Sequence, residues 1–98
     1  MDLEYIKDQN PIHEVIRKTT GWTLTGRGDI LSTREHDSLK IFLKTQTYKW
    51  FSKTDNYGDV IAWLQNYKGW DFKDAVEWLC DNAGIPIEWK NVDTAKWQ

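Results

Sequence analysis

The thiol and imidazole groups that serve as thiolate nucleophiles, general bases or zinc ligands are few in this 98-residue sequence: one cysteine, Cys80, and two histidines, His13 and His36. A single thiol makes no intramolecular disulfide and no cysteine-based zinc site, which needs at least two thiolates. His13-Glu14 and His36-Asp37 are adjacent pairs, and neighbours on a helix or strand point apart instead of converging. Both histidines therefore read as solvated groups. Cys80 lies on the apolar stripe of a predicted helix and reads as a small core hydrophobe. Carboxylates are plentiful but scattered, and Gly26-Arg27-Gly28 reads as a hairpin turn, not a phosphate-cradling loop. This inventory points away from catalysis and from any cofactor.

Charge is more informative. The chain carries 13 Lys+Arg and 15 Asp+Glu, a net charge of −2 that by itself argues against nucleic acid. Residues 17–54, however, hold eight bases (Arg17, Lys18, Arg27, Arg34, Lys40, Lys44, Lys49 and Lys53) against three acids (Asp29, Glu35 and Asp37), a local charge of +5. The remainder holds five bases and twelve acids, a charge of −7. Within the basic segment Lys40, Lys44, Tyr48, Lys49 and Trp50 interleave cations with rings. That combination suits single-stranded nucleic acid, whose bases stack on aromatics while Lys and Arg track phosphates. It equally suits a wet sheet face with ordinary lysines. These residues alone leave both readings open.

The elements that must position these groups follow from periodicity. Asn10-Pro11 reads as an N-cap with proline at the first helical position, Ile12, Val15 and Ile16 share a face, and Thr19-Thr20-Gly21 ends the helix. An earlier helical turn through Leu3 and Ile6 is weakly marked. From Trp22 to Phe51 the period becomes β-like: Trp22–Leu24, Ile30–Ser32, Leu39–Leu43 and Tyr48–Phe51, joined by tight turns into a four-stranded antiparallel sheet. Two helices follow, capped by Asp59 and Asp71, closed by Gly69 and Gly84, with stripes Val60/Trp63/Leu64/Tyr67 and Phe72/Ala75/Val76/Leu79/Cys80/Ala83.

Seven tryptophans exceed normal usage several-fold and must fill much of the core. Trp63 reads as core, Trp70 as a plug between the last two helices, and Trp78, off its helix's stripe, as an edge cover or a partner contact. One α+β domain over residues 1–86 is expected, with 87–98 a tail or linker. No apolar run reaches the ~20 residues of a membrane span, and the start lacks a signal-peptide pattern. A cytoplasmic domain with no membrane partner is the expectation.

The element order, with Gly58-Asp59-Val60-Ile61-Ala62-Trp63-Leu64 and Tyr67-Lys68-Gly69-Trp70-Asp71-Phe72-Lys73-Asp74-Ala75-Val76 through Ala83-Gly84-Ile85, resembles the N-terminal zinc-binding domain of DnaG-type bacterial primases. Glu35-His36-Asp37-Ser38-Leu39 followed by Trp50-Phe51 resembles the primase-like proteins of conjugative and other mobile elements, in which this domain precedes a separate catalytic domain. The resemblance covers roughly residues 10–86. It implies a zinc-ribbon-like sheet, DNA replication or transfer as the setting, and single-stranded DNA, with other replication or transfer proteins, as partners.

The resemblance also implies a metal held by Cys-x-x-His on one hairpin and Cys-x-x-Cys on the next. By position those ligands fall on Leu31, Arg34, Phe51 and Thr54, none of which binds zinc, so a metal-free ribbon is expected, with Leu31 and Phe51 packing in the metal's place and Trp22, Trp50 and Trp63 enlarging the core. The sheet face implied to contact nucleic acid carries Arg27, Arg34, Lys40, Lys44, Tyr48, Lys49, Trp50 and Lys53. The alternative is a protein-interaction module that kept the fold but lost zinc and template binding. The acidic ligands of primer synthesis are absent, so the chain is not expected to be an enzyme.

Overall fold

The structure, a computed structural model, describes residues 2–87. In chain order the elements are α1 (Leu3–Asp8), α2 (Ile12–Thr20), β1 (Leu24–Arg27), β2 (Ile30–Thr33), β3 (Leu39–Phe42), β4 (Thr47–Trp50), β5 (Tyr57–Gly58), α3 (Val60–Lys68) and α4 (Phe72–Ala83). The α+β class, the antiparallel ribbon and the closing helical pair are as expected. The weakly marked first turn is a formed helix, its start held by the Asp2 carboxylate, which accepts from the Glu4 and Tyr5 amides.

Two expectations are corrected. Among the described residues the sheet has five strands in the order β1-β2-β3-β4-β5, every pair antiparallel. The fifth is only two residues long, too short to show a period. Asn10 does not cap α2; Pro11 occupies that position with no side-chain bond. Asn10 is instead buried as a polar latch. Its Nδ2 donates to the Ile6 carbonyl (2.8 Å) and the Leu79 carbonyl (3.1 Å), and its Oδ1 accepts from Asn82 Nδ2 (2.9 Å). Three hydrogen bonds offset the cost of burying an amide and tie the α1–α2 corner to α4.

Helices α3 and α4 start and stop where local chemistry dictates. Asp59 and Asp71 accept from the Ala62 and Asp74 amides, and Gly69 and Gly84 close each helix in the left-handed conformation. Gly58 couples sheet to helix: its φ is +138°, and a Cβ there would lie 2.5 Å from the Ala62 Cβ. Only glycine lets β5 turn this tightly into α3.

The described helices pack on the sheet face that carries Leu39, Ile41, Tyr48 and Trp50. Ile12, Val15, Ile16, Leu39, Ile41, Tyr48, Val60, Trp63, Leu64, Val76, Leu79 and Cys80 form the core between them. Trp63 is its hub: its indole stands edge-on to Tyr48, stacks on Trp50 and Tyr67, and donates Nε1–H to Thr19 Oγ1 at 3.0 Å. Aromatic pairs of this kind contribute about 0.5–1.5 kcal/mol each beyond their area burial. Trp70 and Trp78 are half-buried neighbours at the α3–α4 corner, 6.5 Å between ring centres. Of the expected tail, 87–98, Ile87 is half-buried against the core, and residues 88–98 lie outside those described.

Candidate nucleic-acid interface

Register decides which side chains meet. Leu39 pairs with Trp50 and Ile41 with Tyr48, and both pairs face the helices. The alternate positions must face away. They form two rows across the ribbon: Arg27, Ile30, Phe42, Thr47, and Thr25, Ser32, Lys40, Lys49, Tyr57. No described helix covers them, and Ile30 and Tyr57 are 53% and 60% exposed. The five strands contain three cations, Arg27, Lys40 and Lys49, and no acid; all three cations lie on this open face.

The eight expected site residues divide accordingly. Arg27, Lys40 and Lys49 sit together on the open face. Arg34 and Lys53 are exposed in the loops that follow β2 and β4, at one end of the ribbon. Lys44, in the β3–β4 turn, borders a polar depression with Glu4, Asp8 and Asp59, away from that face and among acids. Tyr48 and Trp50 are buried, at 1% and 5% exposure, so their ring faces belong to the core. The Tyr48 hydroxyl is also committed, donating to Asn56 Oδ1 and accepting from Asn66 Nδ2, and burial pushes its pKa up.

Sequence reasoning missed the rings that do face solvent. Phe42 and Tyr57 lie in the two open rows, and Phe51, 59% exposed, follows β4 with the Lys49 ammonium 5.0 Å from its ring centre. The signal was available: if Tyr48 and Trp50 point inward, Lys49 and Phe51 point outward. Phe42, Lys49 and Tyr57, with Thr47, line a shallow depression at the β4–β5 end. The arrangement offers what a polyanion with planar bases needs, cations interleaved with accessible rings on an open surface.

One feature is costly for the fold alone. Lys40 and Lys49 are direct cross-strand partners, and like charges so placed repel. Lys40 has only a long contact to Ser32 Oγ, 3.4 Å, and no carboxylate is paired with either ammonium among the described residues.

The metal implied by the resemblance does not fit these residues. Leu31, Arg34, Phe51 and Thr54 carry no thiolate, imidazole or carboxylate, the chain has one cysteine, buried in α4, and no cluster of three or more His, Cys, Asp or Glu exists among the described residues. The expected substitute packing is corrected too. Leu31 is opposite Ile41 on the helix side, whereas Phe51 is exposed, so the two do not pack together.

Comparison with known proteins agrees with this architecture. No curated protein sequence matches the chain. The solved structure of the Aquifex aeolicus primase (zinc binding and RNA polymerase domains) superposes with a TM-score of 0.78 at 18% identity, over 98% of this chain and 25% of that one. The chain thus spans about a quarter of that protein's solved length. A family model, the CHC2 zinc finger that forms the zinc ribbon of DnaG, matches residues 2–95, and the chain belongs to that family.

Proposed function

We propose that this domain is the nucleic-acid-binding module of a primase-like protein of a mobile element, that it takes single-stranded DNA, and that the open sheet face is where it binds. The observation that carries the reading is the Lys40–Lys49 couple, without a carboxylate partner among the described residues, on a face whose five described strands hold three cations and no acid beside three rings. A phosphate between the two ammonium groups converts mutual repulsion into two charge-assisted contacts. Phe42, Phe51 and Tyr57 then supply π-faces for bases, and Arg34 and Lys53 extend the cationic track past the ribbon's end. Relative to the expected site, Tyr48 and Trp50 act as its internal support and Lys44 lies outside it. Catalysis, in this reading, belongs to a separate domain of the parent protein.

A second reading, a protein-docking module, is favoured by the other side of the molecule. There Trp70 and Trp78 lie in a depression with Asp74, Glu77 and Asp81. Titrating a labelled single strand and the matching duplex at two salt concentrations separates the two. The sheet reading predicts tighter single-strand binding that weakens steeply with salt, because phosphate contacts release counterions. No binding at low salt, with a partner protein retained at high salt, would overturn it in favour of docking.

A further inference from the structure

We infer that a clasp of rings and hydrogen bonds, centred on His36, joins the β2–β3 and β4–β5 loops in place of a metal, so that this end of the ribbon stays closed with none bound. The inference rests on the misfit of the donor set, not on the reading of the open face, and it stands on five contacts that tie the two loops to each other or to the core.

The Phe51 amide donates across to the Ser38 carbonyl at 2.9 Å, and Ser38 Oγ donates to Ser52 Oγ at 2.8 Å. The His36 imidazole lies against two indoles, 4.4 Å from the Trp22 ring centre and 5.1 Å from that of Trp50. From the other loop the Lys53 ammonium lies 4.8 Å from the Trp50 ring centre. Trp22 is itself edge-on to Trp50, Trp63 and Tyr67. The imidazole in one loop and the ammonium in the other thus both rest on Trp50, which is anchored in the core. Each loop is also pinned at its own base. The Thr33 hydroxyl donates to the His36 carbonyl and accepts from its amide, the Arg34 amide reaches the Thr23 carbonyl, and the Trp50 amide reaches the Asn56 carbonyl.

A ligand set of this family would join the two loops through one ion. Here the join is spread over rings and backbone, which explains two oddities of the sequence together: a surplus of tryptophan and a histidine that belongs to no metal or catalytic group. It also accounts for the exposed Phe51, since its backbone, not its ring, makes the link.

The test is thermal unfolding of the purified protein, as isolated and after excess chelator, with its metal content measured, together with amide hydrogen exchange. The expected result is no stoichiometric zinc, the same Tm with and without chelator, and a protected Phe51 amide in both. His36→Ala should lower Tm by roughly 4–8 °C and raise Phe51 amide exchange at least about tenfold, while the amides of Trp63 and Leu79 stay protected. His36→Phe, which keeps a ring between the indoles, should restore most of both. Stoichiometric zinc with a chelator-dependent Tm overturns the inference. So does a His36→Ala protein whose Tm and Phe51 exchange match the parent's.

Discussion

Replacing Lys40 with Gln should weaken DNA binding and strengthen the fold at once. Lys40 and Lys49 are cross-strand partners on a face that carries no acid, so removing one ammonium relieves a like-charge pair worth on the order of 0.5 kcal/mol, and Gln retains a donor for Ser32 Oγ. If Arg27, Lys40 and Lys49 each neutralise a phosphate, these three alone contribute about −2.1 to the slope of log K against log salt, which is about an 18-fold loss of affinity between 50 and 200 mM salt, with Arg34 and Lys53 adding to it. Lys40→Gln should make the measured slope shallower by about 0.7, cutting the contribution of these three to about −1.4, or about a sevenfold loss. Lys44→Gln provides the internal control, because Lys44 lies among Glu4, Asp8 and Asp59, and its slope should match the parent's. Fluorescence anisotropy with a labelled oligonucleotide reads the slopes, and urea unfolding reads stability. An unchanged slope in Lys40→Gln, or a changed one in Lys44→Gln, refutes the assignment of the face. A less stable Lys40→Gln refutes the repulsion argument.

Three further outcomes test how the face is supported. Asn10→Ala strips partners from the Ile6 and Leu79 carbonyls and the Asn82 amide, and should cost about 2–4 kcal/mol in urea unfolding. A loss below about 0.5 kcal/mol would mean the latch carries little. Gly58→Ala meets both a φ of +138° and the Ala62 Cβ, and should destabilise by at least about 2 kcal/mol while shifting the amide resonances of β5 and the start of α3. Tyr48, whose folded pKa lies above its ordinary value of 10.0 because it is buried, should ionise above that value in an ultraviolet titration compared with a Tyr48→Phe variant. Since the unfolded phenol loses its proton first, stability should fall as pH rises above about 10 and be unaffected by this group below that; a Tyr48 that ionises at or below its ordinary value of 10.0 contradicts its burial.

Local chemistry was the most legible part of this sequence. Asp59, Asp71, Gly69 and Gly84 mark helix ends by contacts within a few residues, and α3 and α4 fall where those marks place them. The cations of the ribbon were equally legible as a +5 segment. What misled was treating interleaving along the chain as interleaving in space. Consecutive residues of a strand face opposite sides, so Tyr48 and Trp50, written beside Lys49, are separated from it by the sheet itself. The rings that share the lysines' face sit two residues along, Phe42 and Phe51, or on the neighbouring strand, Tyr57. The Asn10 latch was illegible for another reason. Its partners Leu79 and Asn82 are 69 and 72 residues away, and the adjacent proline gave the asparagine a plausible local role instead. The two-residue β5 carries no pattern of its own and is defined only by its pairing with β4.

Amide chemical-shift mapping during titration with a short single strand tests the central claim most directly. The account predicts shifts concentrated at Arg27, Lys40, Phe42, Lys49, Phe51 and Tyr57, with Asp74 to Asp81 of α4 unmoved. Shifts confined to α4 and the Trp70–Trp78 corner, or none at saturating oligonucleotide, would contradict it.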